Sequence, residues 1–123
     1  MAIQSYRDLM VWQAGMRLAA GVYQLSRIWP KDELYGLTSQ ARRAAVSVPA
    51  NIAEGYGRDS TGSYTHFLKI ARGSLKELET HLLLAEQVAV APAGTCDASL
   101  READELGRML NALIRKVETS RTQ

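Results

Sequence analysis

Between Leu100 and Val117 the small and apolar residues Leu100, Ala103, Gly107, Leu110, Ile114 and Val117 recur in alternating steps of three and four. That spacing is the seam of a helix that packs against a partner at roughly +20°, with left-handed, coiled-coil-like geometry. Such a helix needs neighbours of the same kind, and the chain supplies them. A segment from about residue 7 to 28 has Ser5 as its N-cap and Asp8 near the positive end of its dipole. It carries two stripes, Val11, Gly15, Leu18, Val22, Leu25 and Trp12, Met16, Ala19, Tyr23, so it is expected to be buried on two sides. A third helix, from about 60 to 90, holds Tyr64, Phe67, Ala71, Leu75, Leu78, Leu82, Ala85 and Ala89 at the same steps. The breaks "WPKDELYG", "GYGRDS" and "APAGTCD" combine Pro or Gly with Asp or Ser, the residues that turn chains and cap helices. No alternating run is long enough for a sheet. Short connections make successive helices antiparallel, so the expected fold is all-α: an up-down-up-down four-helix bundle in which residues 1–123 form one domain.

The second helix is the unusual one. On a helical wheel Leu37, Ala41, Ala44, Val48 and Ile52 form a core stripe within about 80°. Beside them Ser39, Arg43, Ser47 and Asn51 stack at i, i+4, with Glu54 next on the same side. This row is expected to be a partly buried polar network holding protomers together; a plain solvated face is the alternative. A third strip is Arg42, Val46, Pro49 and Ala53. Pro49 costs about 3 kcal/mol in a helix interior. A kink there is preferred to a true break, in which Pro49 would open a new helix.

Charge and chemistry narrow the function. Residues 36–58 hold Arg42, Arg43 and Arg58 against Glu54 alone, which accounts for the whole formal net charge of +2. The field is modest but local. Tyr56 and Arg58 offer a stacking ring and a cation for single-stranded nucleic acid; packing of Tyr56 on the bundle end with Arg58 solvated is the plainer alternative. No apolar run approaches the ~18 residues of a membrane span, and "MAIQSYRDLM" lacks a basic start followed by an apolar core, so no signal peptide is expected in it. A lone cysteine, Cys96, excludes an internal disulfide and suits a reducing compartment, so the cytoplasm is expected. His66 and His81 lie about 22 Å apart along one helix and cannot share a metal. Cys96 has no base beside it in sequence, and "GYG" at 55–57 follows a helix, so Gly55 reads as a C-cap and not as part of a phosphate loop. No catalytic residue, metal or cofactor is expected, and no enzyme.

The segments "VWQAG", "VYQLSRIWPKDELYGLTSQARRAAVSVPANIAEGYGRDS" and "FLKIARGSLKELETHLLLAEQ" resemble the bacterial four-helix bundle family of ribosomal-RNA intervening-sequence proteins. That family is similar to the accessory variability proteins of diversity-generating retroelements. The likeness covers about residues 8 to 90; its signature falls on Ser39, Gln40, Arg42, Arg43, Ser47, Pro49, Asn51, Glu54, Gly55 and Arg58. One departure is Ser63, where a Glu would complete a capping box with Ser60. The resemblance implies a homopentameric ring or cone and, from the retroelement branch, binding of RNA and a nucleic-acid-processing protein. Two apolar stripes on the first helix and a second strip on the next fit such a ring of heterologous contacts. The expected function is therefore a non-catalytic homo-oligomeric scaffold that binds RNA through basic faces, with Arg42, Arg43, Tyr56 and Arg58 as contacts. The alternative is a protein-directed adaptor, whose polar row serves assembly alone.

Overall fold

The computed structural model describes residues 2–121, and its four long helices are α1 (Met10–Ser26), α2 (Ser39–Tyr56), α3 (Thr61–Gln87) and α4 (Asp97–Arg121). α1 packs on α2 and α4, and α3 packs on the same two, giving the square of a four-helix bundle. The core is filled by Leu18, Val22, Val48, Ile52, Leu68, Leu75, Leu78, Leu82, Leu106 and Leu110, all fully buried. Three of the residues assigned to the α4 seam, Ala103, Leu110 and Ile114, are buried, with Leu100, Gly107 and Val117 at its edges. Leu106, which falls outside the alternating pattern, broadens that seam.

Local chemistry moves several boundaries. Ser5 does cap, but it caps a 3-10 turn, Tyr6–Asp8: its Oγ accepts from the Arg7 N–H at 3.1 Å, and the Asp8 carboxylate accepts from the Ser5 N–H at 3.2 Å. Leu9 is extended and α1 starts only at Met10, with the Tyr6 ring turned back edge-on to Trp12 at 5.3 Å. α1 ends at Ser26, two residues short of the boundary expected near residue 28. Pro30 disfavours helical backbone at Trp29, and the chain turns through Arg27 and Ile28. A 3-10 turn (Lys31–Glu33) and a π-type turn (Leu34–Thr38) then lead into α2.

α2 runs unbroken through Pro49, so the proline opens no second helix. Pro49 is buried, and a Cβ added to Gly15 would stand 3.3 Å from its Cβ, so the glycine lets α1 and α2 meet at this point. Gly55 is not the C-cap expected of it. It lies inside α2, where a Cβ would come within 2.7 Å of the Phe67 Cβ; the cap is Gly57. Here the glycine is required by the close approach of α3, not by a turn.

α3 also stops before its apolar pattern does. Ala89 adopts φ +62°, its N–H bonds the Glu86 carbonyl at 3.1 Å, and the Val90 N–H bonds the Ala85 carbonyl at 2.8 Å. This is a Schellman stop with alanine where glycine is usual, which is why nothing in the sequence marks it. The Glu86 carboxylate then accepts the Gly94 and Cys96 N–H groups, each at 2.9 Å, tying the connection to the helix end. These two bonds lower its pKa below the ordinary carboxylate value.

Two substitutions should move stability in opposite directions. Ala89→Gly relieves a left-handed alanine and is expected to raise the unfolding free energy by about 1 kcal/mol. Gly55→Ala overpacks the α2–α3 seam and should cost about 1–3 kcal/mol. Urea unfolding of both variants checks this, and a stabilised Gly55→Ala protein would refute the close-approach argument.

Candidate nucleic-acid interface

The polar row on α2 divides into parts with different partners. Ser47 and Asn51 are half-buried. The Ser47 and Ser74 hydroxyls share a hydrogen bond at 2.8 Å, while Asn51 Nδ2 donates to Ser47 Oγ at 2.9 Å and to the Ser47 carbonyl at 2.8 Å. The middle of the row thus ties α2 to α3 within one chain. It also places an extra donor close to where Pro49 removes one from the helix ladder. Glu54 does not extend this row. Its carboxylate pairs with the Arg58 guanidinium at 2.6 Å, and Arg58 also lies 4.8 Å over the Phe67 ring. Tyr56 is half-buried, edge-on to Tyr64 at 6.0 Å. Burial, with Tyr56 beside it, raises the pKa of the Tyr64 phenol.

At the other end of α2 the arginines are differently placed. Arg42 Nε donates to Ser26 Oγ at 2.9 Å, and its guanidinium lies 4.7 Å over the Tyr23 ring. Arg43 is exposed, and among the described residues neither Arg42 nor Arg43 is within ion-pair distance of a carboxylate. An open groove of about 280 Å³ is lined by Tyr23, Leu34, Tyr35, Ser39, Arg42 and Arg43. Tyr35 is 93% exposed at its edge. Arg43 also borders a second hollow of about 450 Å³, toward α3, with Gln40, Ala44, Ser47 and Glu77. Glu77 there faces His81, their Oε2 and Nε2 atoms 3.3 Å apart.

The residues singled out in the sequence therefore form two groups about 20 Å apart along α2. Arg42, Arg43 and Ser39 share the groove beside the α1–α2 connection. Tyr56, Arg58 and Glu54 sit at the opposite end, where the cation already has a carboxylate. Sequence reasoning missed Tyr23 and Tyr35 as groove walls. Tyr23 read as one member of an apolar stripe, and only the antiparallel pairing of α1 with α2 brings it to Arg42. Among the described residues no group of three His, Cys, Asp or Glu could hold a metal. Among the same residues no helix is long and apolar enough to cross a membrane.

With this geometry in hand, the comparison with known proteins is direct. Residues 7–112 match the family model described as the 23S rRNA-intervening sequence protein. The chain belongs to that family. Its fold is similar to the 1.70 Å crystal structure of a protein of unknown function from the S23 ribosomal protein family of Bacteroides thetaiotaomicron VPI-5482. The two share 20% identity with a TM-score of 0.78, over 85% of this chain and 98% of the other. At that identity the likeness concerns the fold. None of the curated proteins matches the chain.

The one cysteine of this family member is shielded. Cys96, the last residue of the α3–α4 connection, is fully buried, and burial, followed by the neighbouring Glu86 carboxylate, pushes its thiol from 9.0 up to about 11. Well below pH 9 the group is neutral in both folded and unfolded chains. Between pH 9 and about 11 the unfolded chain releases its proton first, so this group lowers stability as pH rises. At pH 8 the native thiol should react with an aromatic disulfide reagent far more slowly than the urea-unfolded chain. Equal rates would show that the cysteine is open to solvent.

Proposed function

We propose that this protein is a non-catalytic scaffold that self-associates, as a ring of five copies, and binds single-stranded RNA through the arginine groove repeated around that ring. The whole chain acts as one domain in this reading, in a reducing cytoplasm. One observation carries it: α1 and α2 expose large apolar side chains on their outer face, near two arginines that form no ion pair among the described residues. Met16, Tyr23 and Val46 are 46%, 43% and 44% exposed. The Gly15–Pro49 and Tyr23–Arg42 contacts fix the antiparallel register, and Val46 lies on α2 between them. The exposed small residues Ala20 and Ala50 would let another helix approach closely. A face of this kind suits a neighbouring protomer. The middle of the face would serve assembly, and the end with Tyr23, Tyr35, Arg42 and Arg43 would meet nucleic acid.

Tyrosine rings stack on bases whatever the sequence, and guanidinium groups neutralise phosphates. One weak site per protomer becomes five when a strand reaches several copies. Arg43 is a cleaner probe than Arg58, because Arg58 is engaged by Glu54 and Phe67 whereas Arg43 forms no ion pair among the described residues.

Light scattering of the purified protein should report five copies of the 13.6 kDa chain, and Val46→Glu should shift the mass toward one copy. A wild-type monomer would remove the assembly reading. Labelled single-stranded RNA titrated at several salt concentrations should bind with a slope of about −0.7 per phosphate neutralised. Arg43→Ala should flatten that slope and weaken binding. Absence of binding at physiological salt would leave assembly or protein recognition as the role of this face.

A further inference from the structure

A smaller cleft lies under the α1–α2 connection, next to the open groove and sharing Leu34 and Arg42 with it. Its volume is about 110 Å³, and Ser26, Trp29, Thr38 and Arg42 stand in its wall with Arg27 and Lys31. Two of these groups are unusual. Trp29 is 5% exposed and Thr38 is 3% exposed, yet the Trp29 Nε1 and the Thr38 Oγ1 have no hydrogen-bond partner among the described residues. An unpaired buried donor is costly enough that native structures hold few of them. Both residues line this one small cleft.

The charge around them has one sign. Three cationic side chains, Arg27, Lys31 and Arg42, line the cleft and no carboxylate does. The carboxylate of Glu33, on the same connection, is turned onto the Leu37 N–H at 3.1 Å. Gly36 leaves room for it, since a Cβ there would meet Glu33 Oε1 at 2.6 Å. Ser26 fixes the Nε edge of Arg42, and the terminal nitrogens of that guanidinium have no hydrogen-bond partner among the described residues. An indole N–H can only donate, and a guanidinium can only donate. A site whose free groups are nearly all donors, set among cations, is built for an acceptor that carries negative charge. A cleft of this volume exceeds the ~10–15 Å³ that one water needs, so an oxyanion has room.

We infer that this cleft is a binding site for a phosphate-class oxyanion, held by the Trp29 indole N–H, the Thr38 hydroxyl and the Arg42 guanidinium, with Arg27 and Lys31 adding charge. This inference stands without the assembly or RNA readings. The phosphate could be free inorganic anion or the terminal phosphoryl group of a nucleotide chain whose bases lie along Tyr23 and Tyr35.

The test uses isotopically labelled full-length protein titrated with inorganic phosphate, with sodium chloride added to controls to hold ionic strength constant. The protein has two indole N–H signals, from Trp12 and Trp29, and Trp29→Phe identifies which is which. The Trp29 signal should shift saturably with phosphate while the Trp12 signal stays in place. Thr38→Val removes an unpartnered hydroxyl, so its melting temperature without phosphate should be equal or higher, but it should bind phosphate about tenfold more weakly. Arg115→Ala, on exposed α4 surface, should bind as wild type does. A Trp29 signal that moves no more with phosphate than with chloride overturns the site, as does unchanged binding by Thr38→Val. A 5′-phosphorylated dinucleotide separates the sources. Tighter binding than inorganic phosphate, lost on removing its 5′-phosphate, assigns the site to nucleic acid, and affinity no tighter than that of inorganic phosphate assigns it to the free anion.

Discussion

Close approach of α2 to both of its neighbours is the constraint on which the other features depend. Its buried stripe is made of small residues, Ala41, Ala44 and Ala45, with Val48 and Ile52 as the larger members. On one side Gly15 leaves room for Pro49, and on the other Gly55 leaves room for Phe67. Dispersion and apolar burial at such short range are strong for their area. They offset the roughly 3 kcal/mol that an interior proline costs. The same proximity brings Ser47 against Ser74, where their hydroxyls share a hydrogen bond, and Asn51 in turn donates to Ser47.

Charge is distributed according to that packing. Where α2 meets α3 near its C-terminus, Arg58 is taken up by Glu54 and Phe67. Where α2 meets α1 near its N-terminus, the neighbours of Arg42 are a tyrosine ring and a serine hydroxyl, neither of which carries charge. A cation whose partners are neutral keeps its field available to an outside anion. Two hollows and one cleft converge on Arg42 and Arg43. The arginines of α2 that have no carboxylate partner among the described residues therefore gather at one end of the α1–α2 layer.

Most of the architecture was legible in the sequence because apolar periodicity reports burial directly. Leu18, Val22, Val48, Ile52, Leu75 and Leu78 are buried where their spacing placed them. The breaks were legible through Pro and Gly, and Ser60 caps α3 with its Oγ on the Ser63 N–H at 3.1 Å, without a reciprocal carboxylate. The failures have a common origin. The end of α3 at Ala89 depends on a left-handed backbone that alanine does not advertise. The role of Gly55 depends on Phe67, which a local reading cannot bring to it. The candidate site was half legible. Arg42 and Arg43 were visible as a local charge excess, but Tyr23, Trp29, Tyr35 and Thr38 join them only once α1, the connection and α2 have folded together. Arg58 looked like an equal member of the group until its pairing with Glu54 was known.

Native-state amide hydrogen exchange resolves the central claim most directly, because it reports the opening free energy of each helix separately. If α2 is held on both flanks by close packing, the amides of Val48 and Ile52 will exchange only through global unfolding, with the same free energy and denaturant dependence as Leu75 and Leu78 in α3. Exchange of the α2 amides through a smaller local opening, while α3 stays protected, would contradict the account.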